Sequence, residues 1–498
     1  MYQCTVNMIN FVRGVEPRRE MDLLEPVKKQ IELNRKYDIK NTFLVQYDAF
    51  VQPCFSELMR SAEDKKTELG LWIEMARPLI EKLGLEWRGR PGFDWDYHVN
   101  PGFLMAYTKE NRRAIIDELM SEFKRTFGHY PSAVGSWLID SFSMKYMEEN
   151  YSVKAYAICR EQCGTDGYTL WGGYYSQGYY PSVHNMLCPA QTAENQICVP
   201  TFRMLGLDQL HGYDRHQESC ITMEPFWEWG KNPDWVDWFM KNQTENEDLG
   251  FSYVQIGQEN SFGWENYGEA LEMQVKKLKL LEAQGKVRFE QLSETGRRFK
   301  EKYDFSPPCV VSAYGDYQGA DDTAVWYQCK NYRAGLMSED GSVYLRDIHL
   351  FDEEYREEFE DGVCEEDCCT YDTLPVIDGY ALDPHKHCGG LYFDRKAKIV
   401  KHVKTDNGIA VYLQDISDAG IAVYFDENGF TVKAEKPFSL RLRCDEDAKL
   451  PIKGISDRTV SFEHNGFSYS VRLEKGTVCN NALVSDSDGI IRFGLSKQ

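Results

Sequence analysis

A chain of 498 residues is too long for a single core and divides into two or three domains. Its 42% hydrophobic content is that of an ordinary globular protein, and its formal charge of −22 argues against nucleic acid or an anionic membrane as partner. No stretch approaches the roughly 20 apolar residues of a membrane-spanning helix.

Residues 1–304 alternate strand with helix. Cys4–Val12 is an apolar strand, so no signal peptide is expected. Leu23–Tyr37 has helical spacing through Leu24, Val27 and Ile31. Asn41–Tyr47 is a strand ending at Asp48, and Glu57–Lys66 is helical. Leu69–Met75 is a strand carrying Glu74. Leu85–Tyr107 is a long loop rich in Trp, Gly and Pro. Thr108 caps the next helix, with Ile115, Leu119 and Phe123 on one face and Gly128 as terminator. The apolar run Ala133–Ile139 stops on Asp140, and a short helix follows. Lys154–Cys159 is a strand ending at Glu161. Gly164–Gln217 is a second long loop, heavy in Tyr, Trp, Gly and Pro, and loops of this length commonly wall an active site. After the Pro233–Asn246 helix comes the strand that begins at Tyr253 and leads to Glu259. Glu265–Gln284 is helical, Val287–Leu292 is a strand, and a last helix reaches Tyr303. Repeated β-then-α units imply a parallel sheet with right-handed crossovers, and seven or eight strands imply a closed (β/α) barrel.

After Ser306-Pro307-Pro308 the pattern changes to period-two strands around turns. Ser338-Glu339-Asp340-Gly341, Asp426-Glu427-Asn428-Gly429 and Asn465-Gly466 mark hairpins. Residues 309–498 are expected to form a β-sandwich. The fifteen cysteines are scattered and odd in number, which fits reduced thiols in the cytoplasm. Cys364, Cys368, Cys369, His385, His387 and Cys388 are clustered, but their spacing matches no usual zinc pattern. The acidic stretch Asp352–Asp367 beside them suggests a solvated loop.

Six carboxylates fall at or near strand ends: Asp48, Glu74, Asp140, Glu161, Glu259 and Glu265. In a β/α barrel the carboxyl rim is where catalytic groups sit. Any one of them alone could be a solvated rim group or a helix cap, and Asp140 before Ser141 fits a cap. Convergence on one rim, with water limited by Trp72, Trp137, Trp171 and Trp264, would drive their pKa values apart into one acid and one base or nucleophile. The loop aromatics add a second signal, since ring faces stack on sugar C–H faces. Most of these rings serve packing. Trp171-Gly172-Gly173-Tyr174-Tyr175, where glycines open the backbone, is expected to touch ligand. Asp214 and His216 are spaced for either a metal pair or a surface pair.

Trp137-Leu138-Ile139-Asp140-Ser141-Phe142 resembles the segment carrying the catalytic nucleophile in retaining α-mannosidases with a seven-stranded barrel. Asn41-Thr42-Phe43-Leu44-Val45 and Glu68-Leu69-Gly70 resemble the second and third strands of polysaccharide deacetylases. The resemblance to this glycoside hydrolase/deacetylase barrel superfamily covers the first three-fifths of the chain. It departs where metal ligands would stand. The end of strand one reads Phe11-Val12-Arg13-Gly14, without an acidic or His-x-Asp pair, and strand three reads Leu71-Trp72-Ile73-Glu74-Met75, without histidines. The resemblance therefore implies a glycoside hydrolase with no metal and no other cofactor, acting on an oligosaccharide or glycoside. Asp140 would be the nucleophile and Glu259 the general acid/base. Asp48, Glu74, Tyr97, His98, Trp137, Glu161, Trp171, Trp264 and Glu265 would contact substrate. Two alternatives stay open: a metal-dependent deacetylase using Asp140, Asp214 and His216, and a sugar-binding protein on a non-catalytic barrel. The sugar, the stereochemical course and assembly into a homo-oligomer are open as well.

Overall fold

The computed structural model describes residues 3–212, 221–245, 249–383, 389–415, 420–448 and 450–495. Asp214, His216, His385, His387 and Cys388 lie outside them. The barrel strands are β1 (Cys4–Val12), β2 (Asn41–Val45), β3 (Thr67–Trp72), β4 (Ala133–Gly135) and β5 (Ala155–Ile158). The loop after β5 carries β6 (Gln162–Thr165), β7 (Tyr168–Trp171) and the two-residue β8 (Gly178–Tyr179). Then come β9 (Thr201–Arg203), β10 (Tyr253–Ile256) and β11 (Val287–Glu290).

The parallel order is β10-β1-β2-β3-β4-β5-β9, and β11 joins the first half of β1. β1 is buried along all nine residues, as a parallel strand covered on both faces must be. The barrel is nearly closed. Between β9 and β10, among the described residues, a side chain spans the seam. Gln255 accepts the Leu205 N–H at 2.8 Å and donates to the Ile9 carbonyl. Strand β9 is three residues long and lies inside the stretch read as loop, too short to show a period.

Helices fall within a few residues of their expected limits. Thr108 accepts the Asn111 N–H and caps Lys109–Phe127, and Gly128 ends that helix at a φ of 86°. No helix among the described residues is long and apolar enough to cross a membrane.

From β12 (Cys309–Tyr314) onward the chain builds two antiparallel sheets facing each other over an apolar core. β13 (Thr323–Gln328), β14 (Tyr332–Glu339) and β15 (Ser342–Leu350) start the first sheet. The turn at Asp340-Gly341 joins β14 to β15, within the Ser338–Gly341 stretch that the sequence marked as a hairpin. Asn465 and Gly466 both have positive φ, the conformation that a two-residue hairpin turn demands.

The segment 352–372 is a correction. Its acidity suggested a solvated loop, yet Glu353, Tyr355, Glu357, Glu360 and Cys364 are buried against the barrel. From Glu353 to Glu358 the residues alternate in and out, and two of the buried acids meet backbone donors. Glu353 accepts the N–H groups of Gln191 and Thr192, and Glu357 accepts those of Ser141 and Met186. At its end, β16 (Cys369–Asp372) pairs in parallel with β7, which also pairs with β6.

Candidate active site

The rim past β1, β3 and β10 gathers carboxyls around one guanidinium. Arg13, the residue after β1, is 2% exposed. Its Nη2 lies 3.4 Å from Glu259 Oε2 and 3.5 Å from Glu74 Oε2, and its Nη1 lies 3.9 Å from Glu16 Oε2. The guanidinium rests 3.7 Å from the centre of the Trp95 ring, a cation–π contact. Because one nitrogen touches both Glu74 and Glu259, their oxygens lie no further apart than those two contacts together.

Each carboxyl has its own restraint. Glu259 accepts the Ser261 hydroxyl and the Arg13 N–H. Burial pushes its pKa up, and Arg13 opposes the rise. Glu74 accepts the Trp72 indole N–H at 2.9 Å, and burial pushes it up to about 7. Asp48 accepts the N–H groups of Gly14 and Val15 through one oxygen, and burial raises it to about 6. Glu224 accepts the Gln258 amide at 3.0 Å. Its pKa is pushed to about 7, chiefly by burial and further by the charge of Glu259.

Glu224 and Glu259 line one small cavity of about 20 Å³, walled by Phe11, Trp72, Trp137 and Met204. That volume holds about one water molecule. Phe11 stacks on Trp72, and Trp137 meets both edge-on. On the flank, Tyr97 lies beside Arg18 and Arg90, and His98 sits 3.1 Å from Asp96.

The structure thus brings Asp48, Glu74 and Glu259 around Arg13, sets Trp137 in the cavity wall, and places Tyr97 beside Arg18, with His98 against Tyr97 and Asp96. It sends the other candidates elsewhere. Asp140 and Glu259 share neither a hydrogen-bond partner nor a pocket. Asp140 is the N-cap of the Ser141–Asn150 helix, accepting both the N–H and the hydroxyl of Ser143, and it pairs with buried Arg112 at 3.1 Å. Glu161 accepts Arg333 of β14 at 2.6 Å and the Gly172 N–H, so it ties the barrel to the first antiparallel sheet. The Trp171 indole donates to Asp378, and Tyr175 stacks on Trp326. The glycine-spaced aromatics that were expected to touch ligand therefore pack the domain junction. Trp264 covers its own helix at Tyr267 and Gly268, and Glu265 is exposed.

Sequence reasoning passed over Arg13 as a site residue and missed Glu224. Arg13 follows an apolar strand as Asp48 does, which was the available signal. Glu224 follows no strand, so the rim pattern could not find it. Among the described residues, no three or more His, Cys, Asp or Glu side chains are grouped to hold a metal ion.

No family model and no curated protein matches the chain. Its fold is similar to a crystal structure of a candidate glycoside hydrolase/deacetylase from Parabacteroides distasonis, with a TM-score of 0.56 at 15% identity over 75% of this chain and 90% of that one. A candidate polysaccharide deacetylase from Mycobacterium smegmatis gives 0.38 at 11% identity, over 60% and 91% of the two chains. A GH57 branching enzyme from Thermococcus kodakaraensis gives 0.33 at 10%, over 64% and 74%. At these identities the first likeness is one of fold, and the other two add no argument.

Proposed function

We propose that this protein is a carbohydrate-active hydrolase that cleaves a glycosidic bond with Glu224 and Glu259. The carrying observation is that both carboxyls line one aromatic-walled cavity, with the Glu224 pKa near 7. An acid that keeps its proton near neutral pH can deliver it to a leaving oxygen. Glu259, facing an Arg13 N–H and a Ser261 O–H, is the better-stabilised anion and serves as base or nucleophile. Glu74, on the same Arg13 nitrogen, holds a third carboxyl in reserve for positioning a hydroxyl. The fold likeness to a candidate glycoside hydrolase/deacetylase supports the substrate class. Asp140, expected from its motif to be the nucleophile, has no part in this reading. The present cavity takes a water, and a sugar ring, which needs a pocket of several hundred Å³, enters only when the wall parts.

The test is a panel of aryl glycosides and oligosaccharides. Glu224→Gln and Glu259→Gln should each lower kcat/KM by about 10²–10⁴. Glu224→Gln should regain most of its rate on dinitrophenyl glycosides, whose leaving group needs no proton. Full activity in Glu224→Gln on unactivated substrates would remove it from the reaction.

A further inference from the structure

The turn that begins at Glu224 also carries the most exposed of the eleven tryptophans. Trp227 is 37% exposed. A tryptophan side chain is ordinarily taken largely out of water, so a ring left in it calls for a reason. Its place in the chain supplies one. The Trp227 N–H donates to the Glu224 carbonyl at 3.3 Å and closes a turn with Pro225 in second position. Such a turn keeps its two end Cα atoms within about 7 Å. Burial raises the Glu224 pKa, and the Trp227 indole N–H is among the groups that oppose the rise.

A second turn arrives from the other carboxyl. Glu259 is followed at once by the helical turn Asn260–Phe262. The Phe262 ring meets Phe226 with 4.4 Å between centres, and Trp227 stands at 88° to Phe226 with 5.0 Å between centres. The segments that follow Glu224 and Glu259 therefore touch through their aromatic residues. Phe262 and Phe226 are half-buried, and the row ends in solvent at Trp227. None of the three lines the small cavity shared by Glu224 and Glu259, so the row lies outside it.

We propose that Trp227 is a platform for the leaving group, on which a sugar unit beyond the scissile bond stacks, and that the substrate is an oligosaccharide or polysaccharide rather than a glycoside of a small alcohol. The proposal rests on Glu224 as the general acid. Such an acid stands at the leaving oxygen. A ring anchored on its turn then flanks the part of the substrate that departs. The C–H face of a sugar packs on an indole ring, and Phe226 and Phe262 hold that ring beside the two carboxyls.

The test uses malto-, cello-, manno-, xylo- and chito-oligosaccharides of increasing length with the full-length protein. Binding is read by calorimetric titration in the Glu259→Gln background, which leaves Glu224 and its turn in place. Affinity should rise with length in at least one series. Adding Trp227→Ala should weaken binding of the longer members about tenfold and erase that rise, and Trp227→Phe should restore most of it. In protein with both carboxyls intact, Trp227→Ala should lower kcat/KM more on the oligosaccharide than on an aryl glycoside of the same sugar. Affinity independent of length in every series, or unchanged binding and kinetics in Trp227→Ala, would overturn the platform even where Glu224→Gln and Glu259→Gln are inactive. A fully active Glu224→Gln, beside length-dependent binding that Trp227→Ala abolishes, would keep the platform and remove the acid.

Discussion

Arg13 is a cation shut among acids, and its worth depends on how many of them are ionised. Glu74 and Glu224 titrate near 7 in the fold, against about 4.3 for an unfolded glutamate. A raised pKa means that the folded chain holds the proton more tightly. Stability from these groups is full below about 4.3 and is lost as pH climbs through about 7, at roughly 1.4 kcal/mol per pH unit for each. Glu259 links the two, so the losses do not simply add. Melting temperature should therefore fall between pH 5 and 8, and Glu224→Gln should flatten that slope; a profile equally steep in the variant would contradict the assignment. Arg13→Met should cost about 3–5 kcal/mol at pH 8, where the acids are charged, and clearly less at pH 5. Urea unfolding at both values checks this. Three of the grouped carboxyls were legible in sequence, because an acid after an apolar strand of a barrel starts out at the rim. Their common cation was not read as such, since a strand-end arginine gives no sign of what it will face.

At the scale of elements, the same strand-then-helix pattern gave opposite outcomes. Glu259 follows β10 and enters the site, whereas Asp140 follows β4 and caps a helix. What separates them is Arg112, which comes 28 residues before Asp140 in a different helix. Asp140→Asn should leave Arg112 uncompensated in the interior and cost about 3–5 kcal/mol. Melting should register the loss, while the folded fraction keeps its turnover. A stable but inactive Asp140→Asn would restore the motif-based assignment. Gly257 governs where Glu259 stands. Its φ is 120°, and a Cβ there would lie 2.0 Å from the Ile9 carbonyl oxygen. Gly257→Ala must push β10 from β1, so it should lower both stability and kcat/KM, although the residue carries no chemistry.

Across the whole molecule, barrel and sandwich are joined by a buried charge network. Arg333 grips Asp347 with two hydrogen bonds, at 2.9 and 2.8 Å, and reaches Glu161 and the Gly173 carbonyl. Arg333→Met strips Glu161 and Asp347 of a shared cation. It should broaden or split the single calorimetric unfolding peak as the domains uncouple; a sharp, unshifted peak would show that the junction does not depend on it. The barrel and the sandwich were legible because periodicity is local. The junction was not, because Trp171 and Glu161 meet partners roughly two hundred residues later, and aromatics gathered for a protein surface read the same as aromatics gathered for a sugar.

The parallel pairing of β16 with β7 also sets a timetable. A ribosome adds about 5–20 residues each second, so several seconds separate the last barrel helix, ending at Lys302, from the arrival of Cys369–Asp372. Through that interval the nascent barrel shows one bare edge at Tyr168–Trp171. Arg112 also waits for the carbonyls of Phe359 and Gly362, and Ser141 and Met186 wait for Glu357. The first three-fifths of the chain is thus born before the segment that completes it. Synthesis order makes residues 352–372 the closing stitch of a domain whose sequence ended long before.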